Sequence, residues 1–157
     1  MPRILNQDGT LQFARRLLPS PLDIIRKKFL PSFLHSKRYE MIDYEPNNPV
    51  EIVGLCGCFM FLRTEALKVS GTFDERYFMY FEDLDLCRRI AVQFSLIYHP
   101  NISIIHSSNN EHRRSFALFY YALRATILYF NKWGYFDKER LTLNEKVYSN
   151  ITQRTNA

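Results

Sequence analysis

Five carboxylates and five aromatic side chains are interleaved within residues 73–85: Asp74, Glu75, Glu82, Asp83 and Asp85 stand among Phe73, Tyr77, Phe78, Tyr80 and Phe81. A carboxylate beside large apolar rings is partly desolvated, which raises its pKa toward that of a useful general base. A helix starting near Glu82 works the other way, because a helix N-terminus stabilises anions. Residue types alone leave two readings open: proton abstraction by one of these acids, or capping acids with an i,i+4 ion pair between Asp85 and Arg89. A hydrolytic metal centre made of Asp83, Asp85 and His106 is disfavoured, since residues two apart on a helix face different ways. Cys56 and Cys58 are too sparse for a zinc site, which needs about four ligands, and both read as core.

The elements that must position these groups follow from periodicity and punctuation. Residues 1–12 read as a polar lead-in with a turn at Asp8-Gly9. Pro21 suits the first position of a short helix with Leu22, Ile25 and Phe29 on one side and Arg26, Lys27 and Lys28 elsewhere, stopped by Pro31. Residues 45–49 form a loop. Residues 51–56 and 58–62 read as buried strands with close backbone approach at Gly54 and Gly57. Thr64 caps a helix over 65–70 that ends at Gly71. A helix over 82–92 precedes two strands, 94–98 and 102–105, parted by Pro100-Asn101. Phe116, Phe119, Tyr120, Leu123, Ile127 and Phe130 recur at helical spacing, giving one long apolar-faced helix up to Gly134. Residues 1–135 then form the folded portion, and 136–157 a polar tail that frays.

This alternation argues for an α/β protein. The chain has 157 residues, enough for one core. No phosphate-cradling G-x-x-x-x-G-K or G-x-G-x-x-G sequence occurs, so nucleotide binding cannot be argued from glycine spacing. Of 21 basic and 16 acidic residues, eight basic and three acidic fall in residues 1–40, so the whole excess of +5 lies there. Such a segment attracts anions or stays a solvated face. No recognised nucleic-acid module accompanies it, and nucleic acid is not expected as a partner. Three cysteines and no signal-peptide pattern predict a reducing cytosol, and the apolar run 116–130, broken by Arg124, is too short to cross a bilayer.

The ordered motifs resemble those of family 2 glycosyltransferases of bacterial surface polysaccharide assembly, especially the rhamnosyltransferase-like branch. The segment from Pro2 through Asn6, Asp8 and Gly9 to Gln12 is similar to the family's "P-x-I-L-N-x-D-G-x-x-Q". Gly57, Met60 and Arg63 match its "x-G-x-x-M-L-x-R" strand. Gly71 to Glu75 is followed by Phe78, Met79, Tyr80, Glu82, Asp83, Asp85, Leu86, Cys87 and Arg89 at signature spacing, and Tyr98, Pro100 and His106 complete it. Thr72, Gly54 and Gln93 depart from the usual residues.

The resemblance implies the acceptor-side half of a GT-A fold, with the nucleotide-binding half outside this sequence. It implies that Asp83 is the general base of an inverting transfer, supported by Glu82, and that Gly57, Tyr80 and Asp85 border the acceptor; for Asp85 a helix-stabilising ion pair is the alternative. It implies that His106 helps hold a divalent cation, Mn²⁺ or Mg²⁺, on the donor diphosphate. The implied partners are a nucleotide-sugar donor and a lipid-linked saccharide acceptor, at the cytoplasmic membrane face through residues 15–38. The chain alone should transfer no sugar; the competing reading is a non-catalytic half-domain paired with a nucleotide-binding polypeptide or the membrane surface.

Overall fold

The computed structural model describes residues 1–31, 34, 36–41, 44–107 and 116–155. A mixed three-stranded sheet has the order β1 (Pro2–Leu5), β5 (Leu96–Ile105), β3 (Val50–Ile52). β1 runs parallel to β5, and β3 runs antiparallel to it. A second, two-stranded ladder joins β2 (Arg15–Arg16) to β4 (Gly54–Leu55). The helices are α1 (Pro21–Phe29), α2 (Lys37–Glu40), α3 (Thr64–Ser70), α4 (Glu82–Ala91), α5 (Phe116–Trp133) and α6 (Lys138–Thr155). The molecule is thus α/β, as expected. One core holds Ile4, Ile52, Leu86, Ile90, Tyr98 and Tyr129, all almost fully buried.

Several expectations need correction. The polar lead-in is strand β1, because Ile4 fills the core and its backbone finds partners on β5; only the Asp8-Gly9 turn stands. Pro100 does not divide two strands. β5 runs through it, and the ladder absorbs the missing N–H as an irregularity in which Pro2 faces His99 but Arg3 faces Ser103. Residues 58–62 are not strand. Thr64 is the first residue of α3 rather than its cap, which falls on Arg63 without a side-chain bond; Gly71, at φ +76°, closes the helix as expected.

Helix α1 starts at Pro21 with Ser20 and Asp23 in a capping box. Its inward residue is Ile24, whereas Leu22 and Ile25 face solvent. The side chains of Lys28 and Phe29 lie outside the described residues. Helix α5 exists as predicted, rotated so that Phe116, Phe119, Tyr120, Leu123 and Ile127 are exposed and Ala125, Tyr129 and Phe130 are buried. Polar anchors at its C-terminal end fix that rotation, as described below. The expected fraying tail is instead helix over Lys138–Thr155, where α6 docks on β3 with Val147 and Ile151 buried. Asn144 Nδ2 donates to the Leu18 carbonyl and its Oδ1 accepts from the Leu18 N–H, both at 2.9 Å. Among the described residues no helix is long and apolar enough to cross a membrane.

Candidate functional site

The chain enters α4 through two consecutive left-handed residues, Tyr80 at φ 69° and Phe81 at φ 65°. For bulky side chains this region costs roughly 1–3 kcal/mol each and persists only where the surroundings impose it. Here Phe81 is locked by its ring against Tyr129 (5.0 Å) and Phe130 (6.4 Å), and its carbonyl accepts the Asp85 N–H at 2.8 Å. The turn thereby sets Glu82 and Asp83 at the N-terminal end of α4 and leaves the Tyr80 ring exposed beside them.

Asp83 is 8% exposed. Its Oδ1 accepts the Leu84 N–H at 2.8 Å, its Oδ2 accepts the Gly57 N–H at 3.0 Å, and the Arg16 guanidinium stands 3.9 Å from Oδ2. Three groups from three parts of the chain fix the orientation of one carboxylate. Such a group can take a proton from a hydroxyl that comes within hydrogen-bond reach. Gly57 thus holds Asp83 through its N–H and is itself exposed beside that carboxylate. Close approach of α4 to the β2–β4 ladder depends on Gly54, where an added Cβ would lie 2.6 Å from the Arg16 carbonyl oxygen and 2.9 Å from Leu84. Glu82 is half-buried, its Oε2 has no hydrogen-bond partner among the described residues, and burial raises its pKa.

Asp85 does not border an acceptor. It is 0% exposed, and its oxygens take Trp133 Nε1 at 2.8 Å, Arg89 Nε at 3.0 Å and Lys132 Nζ at 2.7 Å. Lys132 also reaches Asp74 at 3.0 Å, which Arg76 and Lys132 hold well below the usual carboxylate range. The expected Asp85–Arg89 pair is thus one arm of a buried network that fastens α4 to the end of α5. Arg88, fully buried, pairs with Asp137 and lies over the Trp133 ring at 4.1 Å, tying in the start of α6.

His106 follows β5, and its backbone N–H donates to the Leu5 carbonyl at 2.9 Å. Gln12 Nε2 donates to the His106 carbonyl at 2.6 Å and to Asn6 Oδ1 at 2.7 Å, so its Oε1 is left to accept from His106 Nδ1 at 3.1 Å. The pattern assigns a proton to Nδ1, so that in the neutral ring Nε2 carries the lone pair. That nitrogen suits a metal, but it is a single ligand. Among the described residues no three His, Cys, Asp or Glu side chains are grouped to hold an ion.

The basic excess of residues 1–40 is largely engaged internally. Arg3 and Arg15 pair with Glu45, Arg16 with Asp83, Lys27 with Glu40 and Arg38 with Glu145. Sequence reasoning missed Arg16, Lys132 and Trp133 as partners of the acidic cluster, and it missed the chain of bonds from Asn6 through Gln12 to His106. A signal existed only for Asn6 and Gln12, which are fixed letters of the first motif.

No family model matches the chain, and no solved structure matches it. Curated proteins do. The rhamnosyltransferase WbbL of Escherichia coli is 34% identical over 105 residues, which is 64% of this chain and 39% of that protein. An N-acetylglucosaminyl-diphospho-decaprenol L-rhamnosyltransferase of Mycobacterium tuberculosis is 31% identical over 110 residues, 67% of this chain and 36% of that protein. The matched stretch spans less than two fifths of each relative's length. The chain carries a partial rhamnosyltransferase-like region.

Proposed function

We propose that this chain is the acceptor-side, catalytic-base portion of an inverting, family 2 glycosyltransferase of GT-A fold that transfers rhamnose to a lipid-linked saccharide of a bacterial surface polysaccharide. The observation that carries the reading is Asp83, a carboxylate oriented by two N–H groups and a guanidinium at the mouth of a strained aromatic turn. Similarity to rhamnosyltransferases supports it.

In this reading Asp83 accepts the proton of the acceptor hydroxyl as its oxygen attacks the anomeric carbon. The carbon–oxygen bond to the diphosphate breaks, the nucleoside diphosphate leaves with the electron pair, and the configuration inverts. Tyr80 offers an exposed ring against which a sugar packs. Glu82, with its raised pKa, supports the base from the same turn. A divalent cation on the donor would supply charge compensation, and His106 Nε2 would give it one ligand; its other ligands lie outside the groups described. Because donor phosphates need such compensation, the chain by itself transfers no sugar.

The test is a chimera in which residues 2–133 replace the equivalent stretch of the E. coli relative. Restored surface polysaccharide, lost again with Asp83→Asn, is the expected result. A chimera that folds and fails, or works without Asp83, overturns the reading. Peripheral membrane contact belongs to the same proposal and rests on exposed Leu22 and Ile25. Sedimentation with vesicles containing phosphatidylglycerol, and no sedimentation with neutral vesicles, is the result expected of it.

A further inference from the structure

Cys56 and Cys58 flank Gly57, the residue whose N–H holds Asp83 at 3.0 Å. Their thiols lie near enough to influence each other's ionisation, and both are partly open to solvent. The Cys58 thiol, with the Arg16 guanidinium nearby, brings the Cys56 pKa down to about 6. The same contact pushes Cys58 upward. The third cysteine stands apart: Cys87 is fully buried, its sulfur accepts the Leu55 N–H at 3.4 Å, and burial pushes its pKa up to about 12.

One nucleophilic thiolate with a second thiol two residues away has the makings of thiol–disulfide exchange, in which the first attacks and the second resolves. Backbone geometry permits closure. Residues 57 and 58 form a turn, and two Cα–Cα steps bent at a turn bring their ends to roughly 5.5 Å, inside the span that disulfides accept. The residue between them is glycine, which lets the backbone adjust as the ring closes.

We propose that Cys56 and Cys58 are a reversible dithiol–disulfide pair, Cys56 attacking and Cys58 resolving, whose closure displaces the Gly57 N–H from Asp83. The Cys56 thiolate attacks one sulfur of a small-molecule disulfide of the glutathione disulfide class. That S–S bond breaks, a mixed disulfide forms, and one small thiolate leaves with the electron pair. Cys58 gives its proton to solvent and attacks the Cys56 sulfur, and the second small thiolate leaves. The protein pair is oxidised by two electrons, and the small disulfide is reduced to two thiols. The effect on sugar transfer rests on reading Asp83 as the base; the thiol chemistry does not.

The full chain would be equilibrated in buffers of varied oxidised-to-reduced glutathione ratio, quenched by alkylation and mapped by peptide mass. A Cys56–Cys58 link with Cys87 still reduced is expected. Cys58→Ser should trap glutathione on Cys56, and Cys56→Ser should form an adduct at least tenfold more slowly. The Gly57 amide resonance should shift on oxidation and return on reduction. Thiols that stay reduced at every ratio, a link to Cys87 or to a second chain, or no adduct in Cys58→Ser would overturn the pair. An unmoved Gly57 amide would overturn its coupling to Asp83. Since no readout uses sugar transfer, failure of the glycosyltransferase reading leaves these outcomes unchanged.

Discussion

Trp133 Nε1 donates to Asp85 Oδ1 at 2.8 Å across 48 residues of chain, so the final turn of α5 grips the first turn of α4. With Lys132 on the same carboxylate, the contact sets how α5 is rotated. It turns Ala125, Tyr129 and Phe130 inward and leaves the larger aromatic stripe outside.

Asp85→Asn removes the charge that Lys132 and Arg89 surround. Breaking a buried ion pair from one side costs about 3–5 kcal/mol. Urea denaturation of the variant should show a loss of that order, and a loss below about 1 kcal/mol would mean that the network contributes little.

Tyr80 and Phe81 share a left-handed backbone but differ in packing. Tyr80→Gly relieves strain at a half-exposed site and should stabilise by about 0.5–1 kcal/mol. Phe81→Gly relieves the same strain but loses the contacts with Tyr129 and Phe130, and should destabilise by about 2–4 kcal/mol. Paired thermal melts that moved in the same direction would contradict this assignment.

Glu82 has a raised pKa in the folded chain, so the folded state binds its proton more tightly than the unfolded state does. Its stabilising effect is complete below the ordinary carboxylate pKa and is lost as pH rises through the raised one. Glu82→Gln should therefore melt higher than the parent at pH 7, with the difference vanishing toward pH 4. A constant difference across that range would remove burial as the cause.

Gly54→Ala would push a methyl group into the Arg16 carbonyl and Leu84. Overpacking of this kind costs about 1–3 kcal/mol, and more where backbone must move. Because Arg16 moves with its strand, the variant should also slow alkylation of Cys56 at pH 7, as read by timed quench and mass analysis.

Asn144→Ala leaves both backbone groups of Leu18 unpaired in the core. A loss of about 2–4 kcal/mol is expected on chemical denaturation, which a fraying tail could not produce.

The helices were legible where their ends carry local chemistry: Pro21 at the start of α1, Gly71 at the end of α3, and the acidic entry to α4. Strand β1 was not, because a four-residue strand among polar neighbours becomes recognisable only through its pairing with β5, about 100 residues away. The rotation of α5 is not legible in the sequence for a related reason. Periodicity finds the most apolar face, but a tryptophan N–H and a lysine seeking one buried carboxylate decided which face turned inward. Asp83 was found by motif, whereas Arg16, which is nowhere near it in sequence, could be found only in three dimensions.

The pairing of β1 with β5 also orders events during synthesis. Strand β1 leaves the ribosome before β5 has been made, and it can pair there only after residue 105 has emerged. At roughly 5–20 residues per second, that leaves β1 unpaired for several seconds. Closing so large a loop is entropically late, so residues 2–5 are among the last to join this sheet.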